Sequence, residues 1–302
     1  MFNHLSYCKT IGVFLLAAMS LFCKNSFADP VLNKILTTKS ITLAWVDNTR
    51  PISWELNNKP AGMAIDLCMD IVHSIETRHN TQLAVKWVKI PTAARFEFIS
   101  HNQADILCTV AANSAQRDKI VNFSIPWLYT NMNYLAKKSA HIMNKEMLTG
   151  HTVGVISGGT AALVMAKMNR DYNYSVSVKL VRDFEEGFSL LEENHISAFI
   201  TDDVIIRGKL AEMPDKEDYQ TGNDGFGNVL EYGLAVPKNA EDLKKLIDED
   251  IKSMFITKRF DKLYDKWFMS PLTAPDDNVQ RPMSELLIQE KNSFMSSDSN
   301  SL

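Results

Sequence analysis

TVGVISGGTAALVMAKMNRDYNYSVSVKLVRDFEEGFSLLEENHISAFITDD, residues 152–203, decides the fold. TVGVIS is a short apolar, β-branched run that ends in a Gly-Gly turn, and TAALVMAKM continues from it at helical spacing. VSVKLV then reads as a second strand, DFEEGFSLLEEN as a second helix and ISAFITD as a third strand. Strands that alternate with helices of about ten residues build βαβ units, whose strands run parallel in one sheet.

The same rhythm occurs earlier in the chain. ITLAWV (41–46) reads as a strand, and AIDLCMDIVHSIE follows as a helix with Ile65, Cys68, Ile71, Val72 and Ile75 on one face. LAVKWVKI (strand), TAARFEFISH (helix) and ADILCTV (strand) complete that block. Two such blocks predict two α/β lobes. The strands MNYLAKK and YGLAVPK bracket the second block and are the candidates for a double crossover between lobes. The expected division is lobe 1 over 29–131 and 232–302, and lobe 2 over 132–231. EDLKKLIDEDIKSMF and FDKLYDKWF read as helices that pack back on the first lobe; beyond Ser270 an extended segment and a frayed SSDSNSL tail are expected.

Residues 1–28 differ in character: Lys9, the apolar run IGVFLLAAMSLFC, then Ser26-Phe27-Ala28, the pattern of a cleaved secretory signal. The run is short of the roughly 20 residues that a membrane span needs. A lipid anchor at Cys23 is disfavoured by bulky Phe22. The mature chain is therefore expected to start near Asp29, exported to the periplasm. Without the leader, 30 basic residues stand against 36 acidic ones with no basic stripe, which argues against a nucleic-acid partner. Cys68 and Cys108 remain in an oxidising compartment; both lie in apolar runs, so two buried thiols are favoured over one bridge. No cysteine or histidine spacing suggests a metal, and no cofactor is expected.

The chemistry gathers at strand ends, where ligands of open α/β sheets bind. Arg117 follows ADILCTV where Asn113 or Ser114 could cap a helical turn, and its guanidinium there suits a carboxylate; a local bridge to Asp118 is the competing reading. Arg95 and Thr92, in KIPTAARFEF, follow the strand LAVKWVKI. In the second lobe the helix that Thr160 would cap offers free amides to an anion. Asp202 ends ISAFITD, where it could hold an ammonium group or cap the next helix. Carboxylate grips on one side and an acid on the other are what a zwitterionic amino acid requires. Trp45, Trp54 and Trp127 are further candidates for the cleft, core packing being the plainer reading.

PAGMAIDL, ADILCT…QRDKIVNFSIPW, SGGT and AFITDD together resemble the periplasmic solute-binding proteins of amino-acid ABC transporters over nearly the whole mature chain. KIPTAARF and the tail KWFMSPLTAPDDNV look closest to the glutamate/aspartate-binding branch. The resemblance implies a type II, two-lobed periplasmic-binding-protein fold with a two-strand hinge, a monomer serving an inner-membrane permease. By position, Arg117 would grip an α-carboxylate with help from Thr160. Asp202 would hold the α-ammonium, and Thr92 and Arg95 would face the ligand side chain.

Several positions depart from that branch. Val110, Ala111 and Ala112 stand where it has hydroxyl residues, so Ala112 is included as a site position that has lost a donor. Val46 replaces an early arginine, with Arg50 nearby, and Phe184 replaces a histidine. The implied cleft is more apolar than the branch. Two other functions compete: a ligand-free accessory or sensor protein, and a dehydratase-type enzyme. The enzyme lacks a general base, since His73, His101, His141, His151 and His195 fall on helices or lobe edges.

Overall fold

The first described residue, Asp29, caps helix Pro30–Thr38 by accepting from the Val31 and Leu32 amides at 2.8 and 3.0 Å. The computed structural model describes residues 29–299 apart from 224, 228, 275 and 276, so the signal read at 1–28 lies outside the described residues. β1 (Ser40–Trp45) leads to a hairpin of β2 (Trp54–Leu56) and β3 (Lys59–Ala61), then to β4 (Ala84–Lys89) and β5 (Ile106–Leu107), both parallel to β1. β6 (Val121–Phe123) and β7 (Leu128–Thr130) precede β8 (Met132–Lys137). The second block supplies β9 (Thr152–Ile156), β10 (Ser177–Val181) and β11 (Ala198–Asp202), with β9 central and parallel to both neighbours. β12 (Tyr219–Thr221), β13 (Leu230–Tyr232) and β14 (Ala235–Pro237) follow.

Hydrogen bonding sorts these strands into two five-stranded sheets, ordered β4-β1-β5-β14-β6 and β10-β9-β11-β8-β12, which form the cores of two lobes. Each sheet is parallel at its βαβ centre and antiparallel where crossover strands join it. β14 runs against β5 and β6, and β8 runs against β11. The crossing segments meet one step before the strands singled out by sequence: β7 pairs with β13, placing Leu128 opposite Tyr232 and Thr130 opposite Leu230.

Two sequence expectations are corrected. Cys68 and Cys108 form a disulfide, with Cα atoms 6.1 Å apart, within the normal range for a bridge. The reason is tertiary: helix Met63–His79 lies against the end of β5, a contact that apolar runs alone do not reveal. The tail after Ser270 is not extended and frayed throughout, since helix Glu285–Ser299 forms there. Leu287 is fully buried, and the Phe294 ring stacks on Phe255 at 6.1 Å, so packing against helix Glu241–Ile256 overrides the polar composition.

The lobes also touch through close backbone approach. In helix Asp203–Glu212, Gly208 faces loop 50–51 so tightly that a Cβ would stand 1.9 Å from the Arg50 carbonyl oxygen. Around it Ile52 and Trp54 of the first lobe share one apolar cluster with Phe188 and Ile205 of the second.

Candidate ligand-binding site

Thr92, Arg95, Ala112, Arg117, Thr160 and Asp202 line one cavity of about 30 Å³ between the lobes. The first lobe contributes the cations. Thr92 opens a 3-10 turn that passes directly into helix Arg95–Ser100, which leaves Arg95 only 7% exposed. One Arg95 terminal nitrogen donates to the Thr92 carbonyl at 2.5 Å. Arg95 Nε and Thr92 Oγ1 are buried with no hydrogen-bond partner among the described residues. An unpaired buried donor costs about 1–3 kcal/mol, so such groups at a cavity wall suit an incoming acceptor.

Arg117 sits in the short turn Arg117–Lys119, whose start is held by the Arg117 amide donating to Ser114 Oγ at 3.3 Å. Its guanidinium donates to the Ala112 carbonyl at 2.8 Å rather than bridging to Asp118. Both guanidiniums lie over the Phe96 ring, at 4.7 Å for Arg95 and 4.4 Å for Arg117. Burial, followed by repulsion from Arg117, pushes the Arg95 pKa down to about 9, which leaves it charged at neutral pH.

The second lobe contributes the acid. Asp202 ends β11 and occupies the N-cap position of helix Asp203–Glu212, but its side chain makes no cap bond. Its Oδ2 instead accepts from the Tyr232 hydroxyl. Burial raises the Asp202 pKa, opposed by that hydrogen bond and by Arg95 and Arg117. Thr160 is the first residue of helix Thr160–Tyr172 rather than its cap; Gly159 holds the cap position, with no side chain to occupy the first amides.

Several sequence candidates lie elsewhere. Trp127 is buried against Tyr232, Trp54 meets Trp267 edge-on at 5.3 Å, and Trp45 lies under Lys89; none lines this cavity. Val46 is core, and Arg50 pairs with Asp277 and Glu212 away from the cavity. Val110 and Phe184 do line it, whereas Ala111 packs into the apolar cluster of the first lobe. None of the five histidines named above lines it; His151, for example, pairs with Ser197 at 3.0 Å. Phe96 and Tyr232 were not found from sequence. Phe96 follows Arg95 directly, but only the fold brings Arg117 onto its ring, and Tyr232 belongs to a hinge strand distant in sequence from every other site residue.

Residues 41–270 match the model of the bacterial extracellular solute-binding proteins, family 3. The L-glutamate/L-aspartate-binding protein of Pseudomonas aeruginosa is 30% identical over 259 residues, covering 85% of each chain. The glutamate/aspartate import solute-binding protein of Escherichia coli is 25% identical over 260 residues, 85% of this chain and 86% of that one. Among solved structures, a mutant of ArgBP from T. maritima superposes with a TM-score of 0.70 at 21% identity, covering 80% of this chain and all of the other. An ancestral arginine-binding protein bound to glutamine gives 0.68 at 23% identity, covering 76% and 98%. These superpositions show the same fold.

Proposed function

The chain belongs to family 3 of the bacterial extracellular solute-binding proteins, and we propose that it captures an acidic amino acid between its lobes for an inner-membrane ABC permease. One observation carries the reading: two guanidiniums from the first lobe and one carboxylate from the second converge on a single cavity. Arg117 takes the α-carboxylate with the helix start at Thr160, Asp202 takes the α-ammonium, and Arg95 with Thr92 takes the side-chain carboxylate. The names of relatives that bind or import glutamate and aspartate support the acidic preference.

In this proposal residues 1–28 direct export to the periplasm, and the protein acts as a monomer. The lobes divide as 29–131 with 232–302, against 132–231. About 30 Å³ holds roughly two waters, less than any amino acid, so entry requires hinge opening. A second reading, an accessory protein that no longer binds a solute, is favoured by that small volume and by the hydroxyls missing at Val110 and Ala112. Calorimetric titration of refolded residues 29–302 with the common amino acids and dicarboxylates decides between them. Tight binding of glutamate or aspartate is expected. Binding of a neutral amino acid alone would overturn the acidic preference, and no binding by a cooperatively melting protein would leave the accessory reading.

A further inference from the structure

We propose that Tyr232 is a positioning residue of the site: from the hinge strand its hydroxyl holds one oxygen of Asp202 and turns the other toward a ligand ammonium. The inference rests on the reading of Asp202 given above and extends it to a residue outside the cavity wall.

The geometry is specific to Tyr232. Its side chain is fully buried, its ring packs edge-on against Trp127 at 6.1 Å, and its backbone bridges Ala112 beside the cavity. β13 in turn pairs with β7, the other crossing segment. The phenol is therefore fixed in the first lobe and hinge, while its partner Asp202 ends a strand of the second lobe. A carboxylate at an N-cap position ordinarily accepts from the helix amides. Asp202 does not, and the Tyr232 hydroxyl is the donor that holds it away from them. The Asp203 and Val204 amides also donate to Asn131 and Thr130 at 2.7 and 3.3 Å, so the bond fixes the acid where the second lobe meets the hinge.

The charged and titratable groups facing Asp202 are Tyr232 from β13, Arg95 from the helix after β4 and Arg117 from the turn after β5; all three oppose the effect of burial on its ionisation. Burial and the neighbouring acid push the Tyr232 ionisation well above its ordinary range, so it remains a donor at neutral pH. Losing the hydroxyl removes one of the three opposing groups. The Asp202 pKa then rises, and its hold on an ammonium fails at a higher pH as the solution is acidified.

Tyr232→Phe keeps the ring on Trp127 and removes one oxygen. Titrated with L-glutamate, the variant is expected to bind about tenfold more weakly at pH 7, with the acid limb of its affinity moved to higher pH. Glutarate, which lacks the amino group, is expected to bind parent and variant alike. Carboxyl-carbon NMR of the ligand-free protein, with the Asp202 signal assigned through Asp202→Asn, is expected to show that group titrating at higher pH in Tyr232→Phe. An unmoved Asp202 titration, or equal losses for glutamate and glutarate, would overturn the positioning role. If Asp202→Asn bound glutamate as the parent does, the underlying ammonium reading would fall and the inference with it.

Discussion

The two lobes meet along two different seams. At Arg50 charged pairs are already made: its terminal nitrogens reach Glu212 across the seam and Asp277 in its own lobe, Asn48 donates to Glu185 at 3.2 Å, and apolar Ile52, Trp54, Phe188 and Ile205 pack beneath. At Arg117 the seam is unfinished. Two guanidiniums share one aromatic ring, and Arg95 Nε and Thr92 Oγ1 have no hydrogen-bond partner among the described residues. Arg50 Nε and Asp277 Oδ1 also lack partners among the described residues, so what sets the first seam apart is its ion pairs and apolar packing. In the proposed function, the second gains its further hydrogen bonds from a solute that reaches both walls. A binding protein needs both: a ligand shifts the open–closed balance only by the contacts it adds to the closed state, so some closing contacts must be left for it to make.

The largest change is expected at the disulfide, which ties helix Met63–His79 to the end of β5 and so underlies both seams, the helix start also holding loop 51–52. Cys68→Ser opens a loop of 40 residues and should cost about 4 kcal/mol of unfolding free energy. Urea unfolding checks this, with reductant expected to bring the parent down to the variant. Next comes Arg117→Ala, which removes the cation from the unfinished seam. Solute affinity is expected to fall by about 3 kcal/mol, roughly a hundredfold, with little change in melting temperature. Equal binding by parent and variant would reassign the carboxylate grip.

Gly208→Leu attacks the other seam. With the Arg50 carbonyl oxygen 1.9 Å from the new Cβ, the lobes cannot shut as they do here. The expected cost is about 2 kcal/mol in closing, read as a weaker Kd and as a larger radius of gyration by small-angle scattering. Should Gly208→Leu leave scattering and affinity unchanged, the Arg50 seam would have no part in closure.

How much of this was legible in sequence differs between the seams as well. The two-lobed α/β fold follows from hydrophobic period, and the six candidate residues share one cavity because strand-end positions can be read without knowing the packing. The Arg50 seam could not be read. It depends on the backbone of loop 50–51 lying against a glycine more than 150 residues away, and nothing local to GKL or TRPIS announces that contact. The same limit explains the disulfide and the tail helix. Cys68 and Leu287 each look like ordinary apolar positions until helix Met63–His79 and helix Glu241–Ile256 are in place beside them. Tyr232 illustrates a third kind of miss: its strand was found, but its hydroxyl was not connected to Asp202, because the pairing crosses from the hinge to the far lobe.

The smallest effect sharpens the contrast inside a single tripeptide. Ala112 lines the cavity, and its carbonyl accepts from Arg117, while the adjacent Ala111 is fully buried in the cluster behind the first sheet. Adding a hydroxyl at each tests which face the solute uses. Ala112→Ser places a donor beside the proposed carboxylate and should tighten binding by about 1 kcal/mol, near fivefold, at little cost to stability. Ala111→Ser buries the same group where the surroundings are apolar, so it should lower the melting temperature and leave affinity unchanged. Calorimetric titration and thermal melts of both variants separate the outcomes. Tighter binding from Ala111→Ser, or none from Ala112→Ser, would mean that the solute approaches a different wall from the one Arg117 marks.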